Sequence, residues 1–151
     1  MKWVTTEHQD ILGKWAMDRI PYCDTWGNYT AIGLIDEVQI LAVVIYNDFH
    51  EAGCAIHIAG SPGRRWLTRD LLFAAFDYPF NQLKFRRLTG YVASRNTEAL
   101  RLDEHLGFKR EGYLRHMLPD DDIILMGMIR EDCPWLNLKG RVRPLAEKTQ
   151  L

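Results

Sequence analysis

Ala59-Gly60-Ser61-Pro62-Gly63-Arg64-Arg65-Trp66-Leu67-Thr68 lies where the hydrophobic period of this chain changes from two residues to nearly four. Upstream, residues 54–59 read as a short β-strand. Downstream, Leu67, Leu71, Ala74, Ala75 and Tyr78 share one face of a helix that Pro79 ends or bends. A strand that enters a helix through such a loop leaves first-turn N–H groups unpaired and faces the positive end of the helix dipole. The junction therefore suits a phosphate, and Arg64 and Arg65 add charge-assisted donors. It is not a P-loop, because the G-x-x-x-x-G-K-[ST] spacing is missing. A solvated helix start with two surface arginines explains these ten residues at least as well.

Working outward, Thr6 and Gln9 read as a capping box. They open a helix carrying Ile11, Leu12, Trp15, Ala16 and Ile20, which Pro21 stops. After a polar loop at 22–28, the runs Tyr29–Ile35 and 38–46 read as strands joined by Asp36-Glu37. On the other side, Arg87–Ala93 reads as a strand. Asn96 is an N-cap for a second helix with Ala99, Leu102 and Leu106 on one face, and Gly107 is its C-terminal stop. Residues 108–118 and 123–130 read as antiparallel strands. The order α-βββ-α-β-α-ββ predicts one mixed α/β domain.

At 151 residues, 47% hydrophobic and 26% charged, the chain has globular composition, which excludes disordered and fibrous classes. A net charge of −1 argues against a whole-surface nucleic-acid binder. Cys23, Cys54 and Cys133 leave one thiol over under any pairing, so free thiols in a reducing compartment are expected. The five histidines have no metal-ligand spacing, and no metal is expected. No signal peptide is visible, and the longest purely apolar run, 40–46, is too short to span a bilayer, so a cytoplasmic protein without a membrane partner is expected. The domain is read over 1–135, with a basic tail over 136–151 that carries Lys139, Arg141, Arg143 and Lys148.

The second half carries a more specific pattern: a helix over 68–80, a strand opening at Arg87, Asn96 with Ala99 three residues on, and Gly107-Phe108-Lys109-Arg110-Glu111-Gly112-Tyr113-Leu114-Arg115, with Asp122 before the run 123–128. With these features, residues 29–130 resemble the GNAT superfamily of acetyl-coenzyme A-dependent N-acetyltransferases, nearest the branch that acetylates ribosomal-protein N-termini. The resemblance implies a single GNAT-like α/β domain with helices on both faces of a mixed, mainly antiparallel sheet, splayed between strands 54–59 and Arg87–Ala93. It implies acetyl transfer by direct attack in a ternary complex, from acetyl-coenzyme A to an amine of a small molecule or protein, in a monomer or homodimer. Cofactor contacts would fall on Ile58, Ala59, Gly60, Gly63, Arg64, Arg65, Trp66, Leu67, Thr68 and Asn96, with amides around 58–60 steadying the oxyanion.

Asn96, Ser94 and His57 are the catalytic candidates, and Trp26, Glu37 and Asp120 the candidate substrate contacts. Each also has a plain structural reading: a buried strand histidine, a packed tryptophan, solvated turn carboxylates. Two departures from the family stand out. Its loop reads Q/R-x-x-G-x-G/A, whereas Gly60-x-x-Gly63-x-Arg65 keeps only the first glycine of that pattern, and Pro62 removes a backbone donor. Its second-helix tyrosine, the thiolate's proton donor, is replaced by Asp103, expected to be a solvated and ionised carboxylate unfit for that role. A GNAT-fold binding protein without turnover and a nucleic-acid-directed protein remain the alternatives.

Overall fold

The computed structural model describes residues 1–20, 22–63 and 65–138. Arg64 and most of the basic tail, 139–151, lie outside the described residues, as does Pro21 with its proposed helix stop. The described elements are β1 (Trp3–Thr5), α1 (Gln9–Met17), β2 (Tyr29–Ile35), β3 (Ile40–Asn47), β4 (Gly53–Gly60), α2 (Arg69–Asp77), β5 (Arg87–Ala93), α3 (Thr97–Leu106), β6 (Lys109–Leu118) and β7 (Asp121–Ile129). The strands form one sheet in the order β1-β2-β3-β4-β5-β7-β6, antiparallel except for the parallel β4–β5 pair. Among the described residues no helix is long and apolar enough to cross a membrane.

Strand alternation sends side chains to two cores. Val43, Ile45 and Ala59 meet Leu12, Ala16 and Ile20 of the α1 segment on one face. Val44, Tyr46, Ile56 and Leu88 meet Leu71, Phe76, Leu100 and Leu106 of α2 and α3 on the other. Asn96 caps α3 by accepting from the Ala99 N–H at 3.1 Å, and Gly107 closes it at φ 116°. Thr68 caps α2 by accepting from Leu71 N–H at 3.2 Å. As expected, α2 ends just before Pro79, at Asp77. Pro79 sits near the start of the π-helical turn Tyr78–Gln82, and the Ala75 carbonyl, which its missing N–H leaves without a helical donor, accepts instead from Tyr46 Oη at 2.6 Å.

Three local expectations are corrected. The capping box does not form. The helix begins at Gln9 after the N-cap His8, which takes φ 61° and makes no side-chain cap, and the Gln9 side chain instead bonds both the N–H and the C=O of Ala31 at 2.7 Å, tying α1 to β2. The helix ends at Met17, short of Ile20. Trp3–Thr5, too short to show alternation, pairs with Gly33–Ile35 as an extra edge strand.

Candidate active site

Strands β4 and β5 pair only over Gly53↔Arg87, Cys54↔Leu88 and Ala55↔Thr89. Beyond Thr89 the next β5 residue is Gly90, and from there the two strands part. The gap widens into a cleft of about 460 Å³, a size that suits a small-molecule site. One wall is β4 from Ile56 to Gly60, continued by Ser61, Pro62 and Gly63. The other is β5 from Gly90 to Ala93. Asn96, Glu98, Ala99, Leu102 and Asp103 of the α3 segment roof it, and Arg19, Ile20 and Tyr22 close the opposite side.

The β4 edge is chemically open. Ser61 N–H donates to Leu41 O at 2.9 Å. In the antiparallel β3–β4 ladder, odd-numbered residues of β4 therefore turn their backbone groups to β3, and Ile58 and Gly60 turn theirs into the gap. These amides are the ones expected around 58–60. The loop beyond them is shaped by Trp66, whose Nε1 donates to Ser61 O at 3.1 Å and to Gly63 O at 3.0 Å. Gly63 takes φ 83°, a left-handed value that favours glycine.

His57 lines the cleft and shares a buried polar chain. Its Nε2 lies 2.9 Å from Asn47 Oδ1, and Asn47 Nδ2 donates to Trp26 O at 3.2 Å. Because Asn47 uses its amide as donor elsewhere, Nε2 of His57 carries the proton and Nδ1 keeps its lone pair. Burial pushes its pKa down to about 4, so the ring is neutral at pH 7. On the opposite strand, Tyr22 Oη donates to Tyr91 O at 2.8 Å, holding the 22–28 loop over the exposed edge of β5. Desolvation, then the charge of Asp103, raises its pKa to about 12.

Asp103 corrects an expectation. It is half-buried in the cleft wall rather than solvated, and its Oδ2 lies 3.7 Å from where a Cβ on Gly90 would stand. Burial, with a smaller push from Glu104, raises its pKa to about 7. The exposed neighbours Glu104 and His105 pointed to a solvent face, but Asp103 falls seven residues after Asn96 on the same helical stripe as Ala99.

The structure brings His57, Ile58, Ala59, Gly60, Gly63, Trp66 and Asn96 together around the cleft. Other candidates sit elsewhere. Ser94 gives its hydroxyl to Asp121 Oδ1 at 2.5 Å. Thr68 is occupied as the α2 cap, Leu67 packs against the core, and Arg65 is exposed, its carbonyl accepting from Lys2 Nζ at 2.9 Å. Trp26 is a core residue whose Nε1 donates to Gly13 O at 2.8 Å, and its ring touches the cleft only through His57, 4.9 Å away. Glu37 holds the N-terminal ammonium at 3.1 Å at the β2–β3 turn, and Asp120 caps the β6–β7 hairpin 4.0 Å from Arg95, so neither lines the cleft. Sequence reasoning missed Arg19 and Tyr22, which no periodicity marks.

Solved structures share this fold. A mutant of the spermidine N-acetyltransferase of Vibrio cholerae matches with TM-score 0.73 at 17% identity, over 90% of this chain and 96% of that one. The ribosomal-protein-S18-alanine N-acetyltransferase of Escherichia coli matches with TM-score 0.68 at 20% identity, over 85% and 94%. The chain has the GNAT fold. The ribosomal-protein-S5-alanine acetyltransferase of Vibrio fischeri matches with TM-score 0.61 at 20% identity, over 70% and 63%. No family model and no curated protein matches the chain. Within the GNAT fold, the strand gap, the Trp66 loop and the α3 cap of this chain all border one cleft.

Proposed function

We propose that this chain is an acyltransferase that moves an acetyl group from acetyl-coenzyme A to an amine. The observation that carries the reading is the parting of β4 from β5 after Ala55 and Thr89, which leaves the Ile58 and Gly60 backbone groups facing an open cleft. A strand edge without a partner pairs with an extended amide-bearing chain as it would with another strand, and the pantetheine arm of coenzyme A is such a chain. Its diphosphate is assigned to the end of the cleft lined by Ser61, Pro62 and Gly63, and Arg64 and Arg65 follow these residues in sequence.

The residues divide the work by position. Ile58 and Gly60 supply N–H groups to the oxyanion that forms as nitrogen attacks the thioester carbonyl. Asn96 holds the α3 N-terminus against the cofactor side of the cleft. His57, neutral and with Nδ1 unprotonated, offers an acceptor for an N–H of the incoming amine. Its low pKa makes it a better orienting group than a strong base, which suits an acceptor that arrives already deprotonated. An α-amino group, with a pKa of about 8, meets that condition more readily than a lysine at about 10.4.

Two measurements test the reading. Coenzyme A in a thermal-shift titration should raise the melting temperature, since ligand at a hundredfold over its Kd adds about 2.7 kcal/mol. Acetyl-coenzyme A with a panel of small-molecule and peptide amines should release free thiol in an amine-dependent way. No thermal response at millimolar coenzyme A defeats the reading outright. Binding without turnover on any amine favours a GNAT-fold binding protein instead.

A further inference from the structure

The cleft between β4 and β5 is lined from both faces of the sheet, and the two sides carry different chemistry. Ile56 of β4 and Leu88 and Val92 of β5 belong to the core under α2 and α3. By alternation His57 and Tyr91 stand on the other face, where Ala59 packs with the α1 segment. Trp66, Asn96, Ala99 and Asp103 thus line the α2–α3 side, and Arg19, Tyr22, His57 and Tyr91 line the α1 side. Coenzyme A, placed by loop 60–66 and Asn96, takes the first. An amine that attacks directly in a ternary complex then comes from the second.

Arg19 is the only lysine or arginine among the described residues of the cleft wall. Its guanidinium is held without a counter-ion. It lies 3.7 Å over the Trp15 ring, and Nη1 donates to the Trp15 carbonyl at 3.0 Å. Asp18, its neighbour in sequence, is taken by Lys14 at 2.7 Å. Among the described residues no carboxylate stands within salt-bridge distance of Arg19, whereas Arg86, Arg87, Arg95 and Arg110 each have one.

The other groups on the α1 side supply no anion. His57 is neutral at pH 7, its pKa held at about 4 by burial. Desolvation, then the charge of Asp103, keeps Tyr22 protonated up to about 12. Tyr91 adds a half-buried phenol ring. Asp103 and Glu98 belong to α3, on the coenzyme A side. A guanidinium so fixed is planar and permanently charged, with Nε and Nη2 uncommitted among the described residues, which suits a carboxylate.

We propose that Arg19 selects the acceptor by pairing with a carboxylate, so that the amine acetylated here belongs to a molecule that is also an acid. The inference rests on the acetyl-transfer reading and gives it a substrate class. Arg19 takes the carboxylate, His57 Nδ1 meets the amine N–H, and Tyr22 and Tyr91 form the walls between which the acceptor lies. A polyamine meets the opposite. Its further positive charges would stand beside Arg19, with no acid among the described residues of that side to hold them.

Glycylglycine and its amide test this directly, since they differ only in the carboxylate and share an α-amine with a pKa of about 8. At saturating acetyl-coenzyme A, kcat/KM for glycylglycine should exceed that for the amide by about tenfold, mostly through KM, the scale of a charge-assisted hydrogen bond. Spermidine should be poorer than either. Two amidated peptides, Ala-Glu-Ala-Ala and Ala-Gln-Ala-Ala, tell the sources apart. Preference for the glutamate peptide places the carboxylate on a peptide side chain, and preference confined to the dipeptide pair places it on a free terminus.

Arg19→Gln should bring the acid-to-amide ratio to about one, and Arg19→Glu should take it below one. A merely structural role, holding the end of α1, would lower acid and amide acceptors alike and leave the ratio standing. Equal kcat/KM within both pairs overturns the proposal, as does a preference for spermidine in the unaltered protein. So does a raised KM for acetyl-coenzyme A in Arg19→Gln with the ratio unchanged, which would give Arg19 to the cofactor phosphates. If no amine is acetylated, the transferase reading fails instead. Calorimetric titration of glycylglycine and its amide into the coenzyme A-loaded protein still decides the Arg19 assignment, because the preference is one of binding.

Discussion

The indole of Trp66 fills the space that a side chain on Gly60 would need: a Cβ built there would fall 2.2 Å from Trp66 Cε2. The ring is buried and fixed by two hydrogen bonds from Nε1, so it has no free rotamer to retreat into. The glycine at the end of β4 is thus required by packing, and the indole in turn sets the path of the loop that follows.

Gly60→Ala should displace Trp66 and reshape loop 60–66. Overpacking of this kind costs about 1–3 kcal/mol, to be read from chemical denaturation. The same substitution should weaken the thermal response to coenzyme A by more than this general destabilisation. An alanine variant with unchanged stability and unchanged response would mean that the loop relaxes freely.

How much of this was legible depended on whether local pattern decided the outcome. Strands β2 and β5 emerged at their observed bounds because apolar, β-branched runs ended at turn residues. Asn96 and Gly107 marked both ends of α3 because capping is a local interaction. The parting of β4 and β5 came only through the resemblance, since no local signal encodes a missing pair. Strand β1 was illegible because three residues carry no period, and Gln9 because its partner Ala31 is distant in sequence. Asp103 was misread for the reverse reason: charged sequence neighbours indicated solvent, while helical geometry aimed Asp103 the other way. Tyr22 reached the cleft through one tertiary hydrogen bond that composition cannot reveal.

Asn96→Ala removes the acceptor for the Ala99 N–H. Loss of an N-cap costs about 0.5–2 kcal/mol. Because Asn96 also borders the cleft, the affinity for coenzyme A should fall alongside stability. Asn96→Asp should recover the cap, and calorimetric titration of both variants separates the two effects. Full affinity in the alanine variant would confine Asn96 to capping.

Ser94→Ala should leave turnover within about twofold of the unaltered protein, as expected for a substitution outside the reacting groups. The Ser94 hydroxyl is donated to Asp121, and this bond is the first cause of the lowered Asp121 pKa. Asp121 also accepts from the Arg95 and Asp122 N–H groups at 3.1 and 2.7 Å, so the hairpin keeps two of its ties. Steady-state kinetics decides the matter, because a large loss of kcat would return Ser94 to the chemistry.

The His57–Asn47 pair predicts acid sensitivity with a defined window. In the unfolded chain His57 takes up a proton near its ordinary value of 6.5, whereas in the fold burial holds its pKa at about 4. Between these values the unfolded state binds more protons than the native state, so stability must fall as pH drops from 6.5 to about 4 and change little below that on this account. Asp103 acts in the opposite sense over part of the same range, since its pKa is raised on folding, so the raw curve of the unaltered protein mixes the two. A difference measurement isolates His57. His57→Gln keeps a donor for Asn47 Oδ1 and removes the titration, so its melting temperature relative to the unaltered protein should rise steadily as pH falls from 6.5 to 4. A flat difference would mean that His57 is protonated as easily in the fold as in water. Asn47→Ala supplies the structural counterpart. It leaves the buried Nε2–H of His57 and the carbonyl of Trp26 without their partner, and an unsatisfied buried polar group costs about 1–3 kcal/mol. That loss should persist at pH 7, where His57 is neutral in both states, which separates a broken hydrogen bond from a shifted proton.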